Sequence, residues 1–134
     1  LAGVAGWLYV QSDEERMHML KFVKYINERG GHAIIPALKK PETGYKAVKN
    51  LFQEVLKHER FVTASIHEIV ALCVKEKDFT THNWVQWFVN EQIEEEANAT
   101  KILDKLKLAG DSNLYLFDRD IMALRAAETG GAEA

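Results

Sequence analysis

The sequence predicts an all-α protein: a bundle of long helices with one long crossover connection and a short C-terminal helix. Apolar residues recur at steps of three, four and seven over most of the chain, the period of helices with one buried face. Only two prolines and eight glycines interrupt 134 residues, so helices of many turns need not be broken from within. The thirteen residues from His32 to Gly44 hold both prolines, Pro36 and Pro41, and show no helical pattern. Helix-helix connections normally take about 2 to 8 residues. Extended at ~3.3 Å per residue, this stretch reaches about 43 Å, close to the ~40 Å length of a 27-residue helix. It can run the length of a bundle, which makes the helices before and after it parallel.

The first helix runs from about Gly3 to Arg29 and is stopped by Gly30-Gly31, because glycine tolerates the left-handed conformation of a helix end. Its stripe reads Val4, Leu8, Glu15, His18, Met19, Phe22 and Ile26. Glu15 and His18, three residues apart, share a face. An unpaired ionised carboxylate buried there costs roughly several kcal/mol, so it needs a cation, a hydrogen-bonded partner or a metal. A water-filled notch, or a face rotated away from the core, accommodates this pair equally well. The second helix spans about Tyr45 to Lys75, with the stripe Val48, Phe52, Val55, Glu59, Val62, Ile66, Ile69, Cys73, which Glu59 interrupts. After a turn over Glu76 to Thr80, with Asp78 or Thr80 as N-cap, a third helix runs to Leu108 before Gly110. Gln92 and Glu95 interrupt its stripe of Val85, Phe88, Ala99, Ile102 and Leu106. A last helix, about Asp118 to Ala127, carries Ile121, Met122 and Leu124, and residues 128–134 read as a disordered tail. No repeat or linker divides residues 1–134, which are expected to form one domain.

Three stripes are thus interrupted by ligand-type residues. Glu15 and His18 lie roughly 18 to 23 Å along the first helix, and Glu59 roughly 21 Å along the parallel second. The third helix returns antiparallel through a short turn, which brings Gln92 and Glu95 level with Glu59 to within one or two helical turns. All five side chains are expected in one interior layer. Carboxylates from three helices in one apolar core repel unless cations neutralise them. Oxygen donors with one imidazole suit iron or manganese better than the thiolate-rich sites that select zinc.

Composition bounds the setting. Hydrophobic residues at 47% and charged residues at 28% are ordinary for a soluble globular protein. A net charge of -3 with no basic cluster argues against nucleic acid as a partner. No apolar run approaches the ~20 residues that span a bilayer, so no membrane partner is expected. A lone cysteine, Cys73, makes no internal disulfide, and a cytoplasmic location is the expectation.

Ser12-Asp13-Glu14-Glu15-Arg16-Met17-His18-Met19, Lys57-His58-Glu59 and Trp87-Phe88-Val89-Asn90-Glu91-Gln92-Ile93-Glu94-Glu95-Glu96 resemble the corresponding runs of the bacterial non-haem ferritins, members of the ferritin-like di-iron carboxylate family. The resemblance extends to Leu124. It implies a ferritin-like four-helix bundle and a cytoplasmic iron-storage protein, which oxidises Fe(II) with dioxygen at a dinuclear ferroxidase site and deposits ferric mineral in a homo-oligomeric cage of 24 subunits. Carried over by residue, Glu15 bridges the two irons, His18 ligates the first, Glu59 and Glu95 hold the second, and Gln92 lies near the dioxygen side. Glu14, Glu91 and Glu94 match the family's additional third iron site. Haem is not expected: the haem-containing bacterioferritins carry their ligating methionine directly after the bridging glutamate, where this chain has Arg16, with Met17 one residue late. Leu1 to Gly6 correspond to the start of the family's second helix, so the first bundle helix, which supplies a terminal glutamate and a tyrosine, is expected to be absent from this chain. An apolar groove left beside the remaining helices is then expected either to be covered by another subunit or a separate peptide, or to make the chain aggregate.

Two other readings compete. A non-catalytic cage or interaction subunit would keep the helices with a vestigial metal site, and a rubrerythrin-like peroxidase is disfavoured by the absence of a Cys-x-x-Cys module. Cys73 reads as a small core hydrophobe, Trp84 and Trp87 as packing, and His58, His67 and His82 as solvent-facing or locally bonded.

Overall fold

The computed structural model describes residues 1–129; of the tail expected to be disordered, 128–134, Glu128 and Thr129 instead close the last helix and the remainder lies outside the described residues. Four α-helices follow one another: α1 (Ala2–Glu28), α2 (Val48–Glu76), α3 (Phe79–Ala109) and α4 (Leu114–Thr129), the last entered through a single 3-10 turn, Asp111–Asn113. There is no strand among the described residues. The chain divides into two compact units: Thr43–Gly110, and Leu1–Glu42 together with the segment from Asp111 onward.

The unit Thr43–Gly110 is an α2–α3 hairpin. Its turn is built from two residues with separate tasks. Lys77 adopts the left-handed conformation (φ 56°, ψ 32°) that ends α2, and Asp78 begins α3 by accepting the Thr81 backbone N–H at 2.9 Å. The buried residues of α2 are Phe52, Glu59, Ile66 and Cys73, each seven apart. Those of α3 are Val85, Phe88, Gln92, Glu95, Ala99, Ile102 and Leu106, alternating three and four apart. This is the spacing of two helices that keep one seam in register over many turns. The seam runs as the sequence suggests, with Glu59, Gln92 and Glu95 inside it. The start of α2 differs: Ala47 is extended (φ -154°, ψ 159°), so the helix begins at Val48 rather than Tyr45.

In the other unit, α4 packs along α1. The backbones touch at Gly3, where a Cβ would fall 1.7 Å from the carbonyl oxygen of Asp118; no other residue fits that approach. Asp118 accepts the Val4 backbone N–H at 2.8 Å. It thus caps α1 from 114 positions away, satisfying one of the donors a helix start leaves open. Phe117 and Ile121 are buried. Two expectations change here. The last helix begins at Leu114, so Asp118 lies within it. The buried face of α1 is Val4, Trp7 and Gln11, while Met19 and Ile26 of the expected stripe are exposed. An apolar pattern alone leaves the stripe free to rotate by about one residue, ~100°, and the position of α4 against Gly3 and Val4 fixes it. α1 ends at Glu28, and Gly30, two residues on, takes a positive φ (79°), as the Gly-Gly signal indicates.

Candidate metal centre

Within the α2–α3 hairpin, Glu59 and Gln92 meet directly. Glu59 is 3% exposed and Gln92 4%. The Gln92 Nε2 donates to the Glu59 side-chain Oε2 at 3.2 Å and sits 3.1 Å from the Glu59 backbone carbonyl and 3.3 Å from Thr63 Oγ1. Thr63 Oγ1 lies 2.6 Å from Glu96 Oε1, and Arg60 Nε is 3.8 Å from Glu96 Oε2. Glu95 is buried, one helical turn beyond Gln92, and Glu91 is half-buried, whereas Glu94 is exposed. A neutral amide orients the Glu59 carboxylate without cancelling its charge, which suits a group whose counter-charge is a metal ion.

On α1, His18 Nδ1 lies 3.6 Å from Glu15 Oε2, a distance of electrostatic rather than hydrogen-bonded contact. Gln11 Nε2 donates to the other oxygen of Glu15 at 3.3 Å. The Gln11 carbonyl in turn accepts from Arg125 Nη1 at 3.0 Å. Arg125 also pairs with Glu14 through Nη2 and stacks on Trp7, 5.0 Å from the ring centre. The guanidinium of α4 thus polarises the amide that holds Glu15, and it engages Glu14, a residue expected to serve iron.

Each helical unit therefore brings its own part of the expected ligand set together, Glu15 with His18 in one and Glu59 with Gln92 in the other. Four residues that escape a reading of apolar stripes support them: Gln11, Thr63, Glu96 and Arg125. Three of these lie four residues from a predicted ligand, Gln11 before Glu15, Thr63 after Glu59 and Glu96 after Gln92, a spacing that places side chains in reach on one helix face. Arg125 carries no such signal, since its partners are 111 and 114 positions away.

The whole run of α1 to α3 is matched by a family model. It is described as a ferritin-like domain and covers residues 1–109. The chain belongs to the ferritin family. It is 40% identical over 121 residues to a probable bacterial non-heme ferritin-like protein of Haemophilus influenzae, covering 89% of this chain and 73% of that one. A bacterial non-heme ferritin of Campylobacter jejuni is 38% identical over 123 residues, 90% of this chain and 74% of the relative. Among solved structures, the open pore ferritin of Archaeoglobus fulgidus superposes with a TM-score of 0.86 at 40% identity, over 89% of this chain and 74% of that one. The all-α ferritin fold read from the sequence is therefore the fold observed. Elsewhere in this ferritin, the Cys73 thiol is pushed above its ordinary range by burial and, secondly, by the charge of Asp78, which makes it a packing group rather than a ready nucleophile. No described helix is long and apolar enough to cross a membrane.

Proposed function

We propose that this ferritin stores iron, oxidising Fe(II) with dioxygen at a dinuclear site formed by Glu15, His18, Glu59, Gln92 and Glu95. Copies of the chain assemble into a cage, of 24 subunits by the family resemblance, whose interior receives the ferric product. The observation that carries the reading is Glu59: a carboxylate 3% exposed, oriented by an amide at 3.2 Å in a helix seam otherwise fit for apolar residues. Holding a buried carboxylate costs stability, and a site that must bind a dication is a sufficient reason to keep it.

The donor set fits iron as a substrate. Glutamate oxygens are hard ligands that favour Fe(III) over Fe(II) and so make electron loss to dioxygen easier. Glu15, fixed through Gln11, presents a carboxylate in a set orientation, and His18 adds one nitrogen. On the hairpin, Gln92 orients the Glu59 carboxylate by donating to one of its oxygens. Glu14, Glu91 and Glu94 form a looser third site beside the main one, to which Glu14 contributes only when Arg125 releases it.

Anaerobic Fe(II) titration followed by admission of air tests the reading. Two tightly held irons per chain are expected, with ferric absorbance developing on aeration, and Glu59→Ala should remove most of the binding at one position. Metal held only at surface histidines, or binding unaffected by Glu59→Ala, would sink it. The alternative of a non-catalytic cage subunit predicts assembly without oxidation faster than in buffer.

A further inference from the structure

The Gln92 amide has one nitrogen and one oxygen, and its surroundings decide which goes where. Its Nε2 faces three oxygens: the Glu59 carbonyl at 3.1 Å, Glu59 Oε2 at 3.2 Å and Thr63 Oγ1 at 3.3 Å. Turning the amide over would set its oxygen against the two Glu59 oxygens, which only accept, and lose both hydrogen bonds to Glu59, so the orientation is determined by the network. The carbonyl Oε1, the only acceptor of the group, is thereby directed away from them.

Thr63 completes this arrangement only if its single proton points elsewhere. Its hydroxyl has two acceptors in reach, the Glu96 carboxylate at 2.6 Å and the Glu59 backbone carbonyl at 3.0 Å. The shorter contact is to a carboxylate, and such charge-assisted bonds are about twice as strong as neutral ones. The proton therefore goes to Glu96, and the oxygen keeps its lone pairs for Gln92 Nε2. Glu96 is itself flanked on its second oxygen by Arg60. Glu96 is half-buried and Arg60 exposed, so the chain runs from the seam to the surface.

We propose that Thr63, polarised by Glu96, is a positioning residue of the metal site: it fixes the Gln92 amide so that its nitrogen restrains one oxygen of Glu59 and its carbonyl oxygen is offered to metal. The inference rests on the proposed iron site and adds to it two residues that touch no metal.

Equilibrium binding in the absence of dioxygen tests it, using Co(II), whose visible absorption reports its ligand field, on the whole chain. Thr63→Val keeps the shape and removes the hydroxyl. It should weaken one of the two metal positions about tenfold or more, the usual cost of losing an outer hydrogen bond to a ligand, and should shift the Co(II) bands. Thr63→Ser should restore both within about twofold, and Glu96→Gln should weaken the same position without any change in α2. Thr63→Val binding like the unaltered chain would overturn the proposal, as would Thr63→Ser being as weak as Thr63→Val, since the defect would then be one of packing. If the unaltered chain binds Co(II) normally and Glu59→Ala abolishes one position, such a result overturns the role of Thr63 alone. If the unaltered chain binds none, the iron site falls, and the role of Thr63 with it.

Discussion

The pair formed by Arg125 and Glu14 is asymmetric, and the asymmetry gives different costs for removing either partner. The Arg125 side chain is 8% exposed and that of Glu14 27%. Arg125→Met removes the guanidinium that lies over Trp7 and donates to Gln11 and Glu14, and the freed Glu14 carboxylate turns to solvent. A loss of about 1.5 to 3 kcal/mol is expected, the range for a hydrogen bond to a charged group. In Glu14→Gln the guanidinium stays where solvent does not reach, with Gln11 as its remaining acceptor at 3.0 Å. Breaking a fully buried pair costs ~3 to 5 kcal/mol. The partial exposure of Glu14 and the surviving Gln11 bond lower this to about 2 to 4 kcal/mol. The double variant should then lose less than the sum, by about 1 to 2 kcal/mol of coupling. Urea unfolding followed by circular dichroism reads all three values. Should Glu14→Gln cost no more than Arg125→Met, or the two effects simply add, the buried-charge reasoning is refuted.

Other consequences are equally direct. Arg125→Met should strengthen weak metal binding that depends on Glu14, visible as an added low-affinity phase in a Co(II) titration that Glu14→Gln removes. Asp118 is held below its ordinary value of 3.8, first by the Val4 backbone N–H; its contribution is thus complete above that value and is lost as pH falls through its lower folded value. Stability measured between about pH 5 and pH 2 should fall less steeply in Asp118→Asn than in the unaltered chain. Gly3→Ala drives a methyl into the Asp118 carbonyl and should cost about 1 to 3 kcal/mol, with loss of protection of the Val4 amide in hydrogen exchange. Because the Cys73 thiol sits above its ordinary 9.0, an aromatic disulfide reagent at about pH 8 should modify it more than tenfold slower than free cysteine, and unfolding in urea should abolish the difference.

The parts of the fold legible in the sequence are those governed by local signals. Gly30 and Gly110 mark helix ends, Asp78 caps α3, and the seven-residue spacing of Phe52, Glu59, Ile66 and Cys73 fixes the face of α2. The candidate ligands Glu59, Gln92 and Glu95 stand out because each breaks an apolar stripe. The face of α1 is harder to read, since Leu8, Met19 and Ile26 offer a more continuous apolar face than the observed one, which holds Val4 and Trp7 with the polar Gln11. Only the backbone contact of Gly3 with α4 separates the two. Arg125 is invisible for the same reason: nothing in its neighbours indicates that a cation near the end of a helix will be buried against the start of another.

The cap that Asp118 places on α1 sets an order of events as the chain folds. Glu59 and Gln92, like Thr63 and Glu96, are 33 positions apart, so the α2–α3 hairpin closes over a short stretch. Val4 meets Asp118 over 114 positions, a closure costing about 1 kcal/mol more by chain entropy alone. During synthesis the first helix leaves the ribosome before the residue that caps it exists. The hairpin with Glu59 and Gln92 is therefore expected to form first, and α1 to receive its cap, and Gln11 its arginine, only after almost all of the described chain has been made.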